Sequence, residues 1–335
     1  MKQVQIIFDP VAHKYTDNEG NKYTSVTQKL DKYKKKYDSE FWAMYRALDQ
    51  MKYKLRPDTT KRIIWVDNGK DKKGWYGLPE LYAGIFQTVK TPVQIKAEWS
   101  EVTEQSLVRG NNKHNFLEDC VNEFYSKGET INSSIAPTDY DFKDSLFVIR
   151  SSSDIHFSPL ALVEPEIHAV LVDLLNSGYT LYAEKRVYSY DHKISGTIDI
   201  LAVNANGDFW IVDWKTNKDE LQFEAGYYKK AWDKGRNAKV KTDEFIKTDD
   251  RLLYPLNHLY ECKGSMYSLQ LSLYAYICEL WGLKCKGLLL CHIRPMVDKY
   301  NEEVLGIDGK VKFYPPDFYQ IQYLKDDIHT IVNHN

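Results

Sequence analysis

The sequence lacks a long apolar run and an excess of charge of either sign. No segment approaches the roughly 18 consecutive apolar residues that indicate a membrane-spanning helix. The start, MKQVQIIFDP, has no apolar stretch of the kind found in signal peptides. The formal net charge of the 335 residues is only −2, which excludes a uniformly cationic surface. We therefore expect a soluble, cytoplasmic protein without a membrane partner.

Cysteine is also scarce, with five residues and no C-x-x-C pair. Such pairs are typical of zinc sites and redox sites. The cysteines are Cys120, Cys262, Cys278, Cys285 and Cys291. Cys291 lies in the apolar segment GLLLCHI, where a small buried thiol explains its presence. We expect free thiols and no disulfide bonds.

The remaining composition is that of an ordinary globular protein. Hydrophobic residues make up 43% of the chain and charged residues 27%, and the length allows one large core or a core with an appended region. Short strands are expected at the start, with a hairpin in HKYTDNEGNKYTSV. Helices are expected from Ser39 to about Leu55, from Pro92 to Leu107 and from Leu160 to Gly178. Residues 56–91 are expected to be loop-rich, and residues 128–158 to form a connector with a short helix.

The segment from Gly196 to Lys215, GTIDILAVNANGDFWIVDWK, is the most informative part of the sequence. Its first half is a nearly continuous run of β-forming residues, as in a strand that is covered on both faces. Asn206 and Gly207 give a turn of the Asn-Gly type, the strongest short hairpin signal. The segment DFWIVDWK follows as a second strand, so two adjacent strands are predicted.

Three charged residues lie on these two strands. Asp199 falls in the first strand, and Asp213 and Lys215 lie at the end of the second. Ionised groups at the margin of a buried sheet cost free energy unless they pair or hold a cation. A salt bridge between Asp213 and Lys215, with Asp199 as a polar residue near a strand end, would explain them. The same charge set also occurs in metal-dependent sites that cut phosphodiester bonds.

Two further segments carry polar residues that fit such a site. His114 and Glu118 stand four apart in the helical segment VRGNNKHNFLEDCVNEFY, so they share a face and could both approach a metal. Glu184 lies in LYAEKRVYS, before the first of the two strands. The alternatives are a partly buried His114 bonded to Glu118 and an exposed strand position for Glu184.

A downstream helix is predicted in MYSLQLSLYAYICELWG. Gln270 and Tyr274 stand four apart on this largely apolar helix, where polar groups need partners. A plain core helix with a buried tyrosine is the alternative explanation.

In their order and spacing, these motifs resemble the PD-(D/E)XK nuclease superfamily, and most closely its RecB-like exonuclease branch, which includes many phage-encoded enzymes. The pattern consists of His114 with Glu118, Glu184, GTIDI around Asp199, VDWKTN with Asp213 and Lys215, and Q-x-x-x-Y at Gln270 and Tyr274. The resemblance covers roughly residues 95–295. The second acidic position holds Asp213, where the superfamily often has Glu.

The resemblance implies a site for Mg²⁺ or Mn²⁺. Asp199 and Asp213 would be the main ligands, His114 a further ligand, and the backbone carbonyl of Trp214 would complete the shell. Oxygen ligands suit Mg²⁺, whereas one imidazole makes Mn²⁺ more competitive. Glu184 would be a ligand or an orienting group within the catalytic set.

The resemblance also implies roles around the metal. Lys215 would orient or deprotonate the attacking water and stabilise charge on the phosphate. Glu118, Gln270 and Tyr274 would contact the DNA backbone or support the ligands. Some RecB-like nucleases carry an iron–sulfur cluster held by four cysteines, and the scattered cysteines of this chain predict that it has none.

The fold that the resemblance implies is α/β, a PD-(D/E)XK (restriction-endonuclease-like) core with a central mixed β-sheet flanked by helices and an N-terminal accessory layer. Residues 1–94 are predicted to form the accessory region, a hairpin plus helices. Residues 95–335 are predicted to form the nuclease domain, with an insertion at about 236–264.

The implied function is a divalent-metal-dependent DNA exonuclease that hydrolyses phosphodiester bonds in recombination, repair or phage DNA metabolism. The alternatives are a structure-specific endonuclease on branched or flapped DNA and a nuclease-fold protein that binds DNA or a recombination partner without cutting. The expected partners are DNA and a single-strand annealing or recombination protein. For a phage-encoded chain the compartment would be the cytoplasm of the bacterial host. The sequence leaves polarity, strand preference and oligomeric state open.

Because the net charge is close to zero, attraction to DNA phosphates must be local. Basic runs occur at Asp31–Asp38, Lys70–Gly77 and Tyr227–Lys241. The third, YYKKAWDKGRNAKVK, mixes aromatic residues with cations, as surfaces that bind single strands often do. Lys229 and Lys230 are its expected DNA contacts, and a solvated helix face or loop is the alternative.

Overall fold

The computed structural model describes residues 4–9, 12, 14–50, 54–67, 69, 73–78, 90–122, 147–149, 159–235 and 237–334. The chain divides into two compact units. The large unit comprises Met1–Lys34 and Asn112–Asn335, and the small unit comprises Lys35–Asn111. The start of the chain belongs to the large unit, and the division between residues 94 and 95 stays a prediction.

Both units contain strands and helices. In chain order, the strands are β1 (Ile6–Asp9), β2 (Lys14–Asp17), β3 (Lys22–Ser25), β4 (Lys54–Asp58), β5 (Ile63–Asp67), β6 (Lys73–Gly77), β7 (Phe147–Ile149), β8 (Tyr179–Ser189), β9 (Ile194–Asn204), β10 (Asp208–Lys215), β11 (Gly226–Asp233), β12 (Ala238–Lys247), β13 (Lys284–His292) and β14 (Asp317–Ile321). The helices are α1 (Val26–Asp31), α2 (Ser39–Asp49), α3 (Pro92–Asn122), α4 (Pro159–Val163), α5 (Pro165–Asn176), α6 (Lys263–Leu280) and α7 (Lys325–Asn333).

The large unit is built on a mixed sheet. Its strands follow the order β1-β2-β3-β9-β10-β13-β14, with β8 beside β9 and β7 beside β8. The pairs β3–β9 and β10–β13 are parallel, and the other pairs are antiparallel. The expected α/β architecture with a mixed sheet flanked by helices is confirmed.

Helices cover both faces of this sheet, which explains the nearly continuous apolar run of β9. On one face, Leu201 and Val203 pack with residues of α1, α6 and α7. On the other face, Ile200 and Ala202 pack with residues of α3, α4 and α5. Successive β9 side chains therefore enter two different cores, as the two-residue period of a strand requires.

The hairpin predicted around Asn206 and Gly207 joins β9 to β10. Gly207 has a φ of 76°, a left-handed conformation that glycine adopts without steric cost. The side chain of Asn204 accepts hydrogen bonds from the N–H groups of Asn206 and Asp208 at 2.9 and 3.0 Å. The turn is thus fixed by local sequence and sets the register of the two strands.

The small unit differs from the prediction. The helix expected to reach about Leu55 ends at Asp49, and the stretch expected to be loop-rich contains the antiparallel sheet β4-β5-β6. Ile64 and Val66 of β5 are buried with Phe41 of α2. Strand β5, IIWVD, is an apolar run only five residues long in which burial alternates, and it was missed because the sequence around it is polar.

Two other helices differ in extent. The helix predicted from Pro92 to Leu107 continues through His114, and the two segments form one helix, α3 (Pro92–Asn122), of 31 residues. The helix predicted from Leu160 to Gly178 is divided into α4 and α5 at Pro165, which stands in the first turn of α5 and has no N–H to continue α4. Of the predicted connector at 128–158, only β7 belongs to the described residues.

Within the described part of the chain, no helix combines the length and the apolar character needed to cross a membrane.

Asp17 at the end of β2 gives a test of the fold. Its buried carboxylate accepts hydrogen bonds from Asn21, Tyr23 and the N–H of Glu19 at 2.8–3.0 Å. Burial alone would raise the pKa of Asp17, but these hydrogen bonds outweigh it and lower the pKa to about 2. We expect Asp17→Asn to lower the free energy of unfolding by about 2 kcal/mol at neutral pH.

The stabilisation by Asp17 has a defined pH dependence. A lowered carboxyl pKa stabilises the fold above the unfolded value of about 3.9 and ceases to do so as the pH falls through the folded value. In urea unfolding, the difference between wild type and Asp17→Asn should therefore shrink towards pH about 2. Asp243→Asn, which changes an exposed carboxylate of β12, is the control and should match wild type. A pH-independent difference would contradict the assignment.

Candidate metal centre

A carboxylate occupies the point where β9 changes its partner strand. Along one edge, β9 pairs with β3 at Ile194 and Ser195 and with β10 from Ile200 to Val203, whereas β8 runs along its whole other edge. Asp199 lies between the two partners. Its Oδ2 accepts a hydrogen bond of 2.8 Å from the backbone N–H of Trp214. At this fork in the sheet, a side-chain oxygen therefore takes the place of a strand carbonyl.

Glu184 of β8 lies beside Asp199 and interrupts the regular strand. Its φ is 49°, a left-handed backbone conformation that is strained for glutamate and that collects at functional sites. The side-chain alternation changes there, because Tyr182 and Val187, five positions apart, enter the same core. A regular strand would send them to opposite faces. The irregularity directs Glu184 into the site, and its side chain is only 17% exposed.

Helix α3 contributes the imidazole. His114 Nε2 lies 2.9 Å from Asp199 Oδ1 and 3.9 Å from Glu184 Oε1. One turn further along α3, Glu118 completes a group in which one side-chain atom each of His114, Glu118 and Glu184 lies within 4.8 Å of the others. The pair of His114 and Glu118 thus faces the sheet together, as their spacing predicted.

Strand β10 contributes Asp213 and Lys215, which lie on the same face of the strand because they are two residues apart. Lys215 Nζ is 2.6 Å from Asp213 Oδ2, and the Asp213 side chain is almost fully buried. The salt bridge considered from the sequence is present. It accounts for this pair but leaves Glu184 and Asp199 to be explained.

The electrostatics of the group reflect an excess of buried carboxylates. Burial and the charge of Asp199 raise the pKa of Glu184 to about 8. Burial would lower the pKa of His114, but its hydrogen bond to Asp199 and the charges of Asp199 and Glu184 raise it to about 9. Burial opposes the charged form of Lys215, yet Asp213 and Asp199 raise its pKa. The surroundings therefore favour the protonated form of Glu184, His114 and Lys215.

This donor set fits a divalent cation. Glu184 Oε1 is buried and makes no hydrogen bond to any of the residues that the structure describes. Carboxylate oxygens with one imidazole suit Mg²⁺ or Mn²⁺. The N–H and C=O of one strand residue point to the same side, so the carbonyl of Trp214 faces the same edge as the N–H that binds Asp199. His114, Glu118, Glu184 and Asp199 are the nearest candidates for ligands, with Asp213 held by Lys215.

Helix α6 places Tyr274 against β9. A Cβ atom on Gly196 would lie 2.7 Å from Tyr274 Cε1, so glycine is required for this approach. Gln270 Nε2 donates a hydrogen bond of 3.2 Å to the Tyr274 hydroxyl. Burial and the charge of Asp213 raise the pKa of Tyr274. Tyr274 is buried, with only 4% of its surface exposed, whereas Gln270 is half-buried.

Three residues beside Lys215 were missed from the sequence. The Tyr267 ring lies 5.3 Å from Lys215 Nζ, and its hydroxyl donates a hydrogen bond of 2.7 Å to Asn217 Oδ1. His292 Nε2 lies 3.1 Å from the carbonyl oxygen of Asn217. A signal for Tyr267 was present, because it precedes Gln270 by three residues and so shares its helix face. Asn217 ends the quoted motif VDWKTN, two residues after Lys215, whereas His292 reaches the site through the pairing of β10 with β13, which no local pattern shows.

The two predicted DNA contacts outside this centre lie on β11. Lys229 Nζ pairs with Glu244 at 2.8 Å, and Lys230 is exposed. The five cysteines are free thiols, of which Cys120, Cys278 and Cys291 are buried.

The chain was compared with protein-family models, curated proteins and solved structures, and none of them matches it.

The approach of Tyr274 to Gly196 predicts a coupled pair. Gly196→Ala should destabilise the protein by about 1–3 kcal/mol, because the added methyl overlaps the tyrosine ring. In urea unfolding, the double variant with Tyr274→Ala should lose less stability than the sum of the two single variants, by more than about 0.5 kcal/mol. Additive losses would show that the two residues do not meet.

The buried charge of Glu184 predicts a trade between stability and metal binding. Its raised pKa makes ionised Glu184 increasingly unfavourable as the pH rises from the unfolded value of about 4.3 to about 8. Glu184→Gln should therefore stabilise the protein in EDTA by about 1–2 kcal/mol near the upper end of this range. The same variant should lose most of the rise in Tm that Mn²⁺ produces in wild type.

The control for this comparison is Glu104→Gln, which changes an exposed glutamate of α3 and should leave both Tm values as in wild type. A lower Tm of Glu184→Gln in EDTA would contradict the charge argument. A full Mn²⁺ shift in Glu184→Gln would remove Glu184 from the metal ligands.

Proposed function

We propose that the protein is a divalent-metal-dependent DNA nuclease of the PD-(D/E)XK kind, in its RecB-like branch, and that it acts as an exonuclease. One observation carries the proposal. A helix and three adjacent strands bring His114, Glu184, Asp199 and the pair of Asp213 and Lys215 together around a fork in a mixed sheet. These are the residues that the motif resemblance assigns to the reaction.

The charge balance of the centre supports this reading. A purely structural site would gain stability if its buried like charges were replaced by apolar side chains. This protein keeps the buried carboxylates. Burial and the neighbouring Asp199 raise the pKa values of Glu184 and Asp213. Buried groups with such shifts cluster at functional sites, and a bound cation removes their mutual repulsion.

His114, Glu184 and Asp199, with the carbonyl of Trp214, would hold the ion, and Glu118 and Asp213 would complete or support the set. When bound, Mg²⁺ or Mn²⁺ supplies Lewis-acid polarisation of a phosphate oxygen and a water of lowered pKa. Asp199 keeps its geometry because its Oδ2 is fixed by the Trp214 N–H. To bind the ion, His114 would have to lose its proton and give up its hydrogen bond to Asp199 Oδ1.

Lys215 has the second role. Asp213 fixes its ammonium at 2.6 Å, and Asp213 and Asp199 raise its pKa. The charged form is therefore favoured, and Lys215 is suited to orient the attacking water by donating hydrogen bonds and to stabilise negative charge on the phosphate. A role as general base would require the neutral amine, which this environment disfavours.

Tyr274 and Gln270 act as supports in this proposal. Buried Tyr274 packs on Gly196 of β9, and Gln270 is bonded to it. The Tyr267 ring lies 5.3 Å from the Lys215 ammonium, and the Tyr267 hydroxyl donates a hydrogen bond to Asn217. The half-buried amide of Gln270 remains the member of this set that is suited to contact a DNA backbone.

The proposal is tested with end-labelled linear DNA and Mg²⁺ or Mn²⁺, compared with EDTA. Asp213→Asn and Lys215→Ala should each lower the rate by at least about 100-fold, the scale of a lost positioned proton donor or acceptor. Lys286→Ala, which changes a lysine of β13 that pairs with Asp208 at 3.5 Å, is the matched control and should cut like wild type. Unchanged rates in either of the first two variants would remove these residues from the reaction.

Closed circular DNA separates the alternatives. An exonuclease leaves it intact, whereas an endonuclease on branched or flapped DNA cuts a junction placed within a circle. DNA binding without any metal-dependent product would favour the non-cutting alternative. The single-strand annealing or recombination partner and the host compartment remain expectations from the resemblance.

A further inference from the structure

The basic segment after β10 forms a separate two-stranded ribbon. Strands β11 and β12 pair with each other and, within the described residues, with no other strand. Residues 226–247 contain seven basic and three acidic residues, an excess of four positive charges in a chain whose net charge is −2. Positive charge is therefore concentrated on this ribbon, and the rest of the chain is negative.

The base of the ribbon is already neutralised and packed. Lys229 pairs with Glu244, Lys241 with Asp219 and Lys247 with Glu224. At the same end, the rings of Tyr228 and Phe245 lie 5.2 Å apart, and the Lys241 ammonium lies 3.9 Å from the Tyr228 ring. The lysines in this half of the ribbon, Lys229, Lys241 and Lys247, are therefore all paired.

The outer half carries the free charge. Lys230 and Lys234 are exposed and form no ion pair with any described residue, and Trp232 between them is 58% exposed. Lys230 and Trp232 stand two residues apart on β11, so they share one face of the ribbon at a spacing of about 6.7 Å, and Lys234 follows in the turn just after the strand. Trp232 pairs across the ribbon with Lys239, which places a further lysine on that face.

We propose that the outer half of the ribbon, through Lys230, Trp232 and Lys234, binds single-stranded nucleic acid. Phosphates complement the ammonium groups, and the exposed indole offers a surface on which an unpaired base can stack. A duplex keeps its bases inside the stack and cannot use the indole in this way. An acidic protein would use the lysines but has no need of a stacking surface between them. The role as a substrate-holding surface rests on the proposed nuclease function, whereas binding itself does not.

The test measures binding of fluorescently labelled oligothymidine by anisotropy in EDTA, where no metal-dependent cutting occurs. The full chain is compared with Trp232→Ala and with the double variant Lys230→Ala/Lys234→Ala. Loss of one stacked base should weaken binding about 5- to 100-fold. Loss of two phosphate contacts should reduce the slope of log K against log salt by about 1.4, which is the single-strand value for two charges.

Matched controls come from outside the three basic runs. Tyr254→Ala removes an aromatic side chain that is 73% exposed, and Lys14→Ala/Lys22→Ala removes two exposed lysines from β2 and β3. Both should bind oligothymidine like wild type. Far-ultraviolet circular dichroism and Tm of the ribbon variants should match wild type, because the substituted side chains are exposed.

The outcomes separate the two proposals. Equal binding by wild type and Trp232→Ala, or an equal loss with duplex DNA, would overturn the single-strand assignment. Loss of binding to an acidic polypeptide in the same variants, with oligothymidine unaffected, would assign the face to a protein instead. Ribbon-dependent binding without metal-dependent cutting would leave this inference standing while the nuclease proposal fails. Cutting with unchanged binding in the variants would do the reverse.

Discussion

The hydrogen bonds of one carboxylate, Asp199, hold the centre of this protein together. Its Oδ1 meets His114 of α3 at 2.9 Å, and its Oδ2 accepts the N–H of Trp214 of β10 at 2.8 Å. A helix, the strand that carries Asp199 and the next strand are thereby joined at the fork where β9 leaves β3 for β10. Because Trp214 lies between Asp213 and Lys215, fixing its backbone also fixes the ion pair. The fold and the candidate site thus depend on the same interaction.

That interaction carries an electrostatic cost that the apolar core must offset. Glu184 adds a second carboxylate in a strained left-handed conformation, and burial with the charge of Asp199 raises its pKa. Backbone strain and buried like charges both oppose folding. They coincide at one place in a sheet whose faces are otherwise covered by well-packed helices. A positively charged ligand would explain why strain and buried carboxylates coincide here. The donor set suits a divalent cation.

The parts of the structure that follow from local pattern were predictable. The Asn206-Gly207 turn, the two strands it joins and the helix of Gln270 and Tyr274 each have a short-range cause, a turn type or a period. The sheet of β4, β5 and β6 was missed because its strands are five residues long and lie in polar sequence. The φ of Glu184 and the position of His292 beside Lys215 depend on long-range strand pairing, which no residue spacing encodes.

Under the proposed function, the charge distribution along the chain would limit how DNA can approach. Residues 226–247 contribute an excess of four positive charges to a total of −2, so the remainder carries −6. Phosphates gain affinity where cations release condensed counterions, and the remainder of the chain has a net negative charge. Ion pairs neutralise the base of the ribbon, which leaves its outer half as the main attractive feature there. Among the described strands β11 and β12 pair only with each other, so substitutions in the outer half of the ribbon leave the sheet that carries the proposed metal site intact.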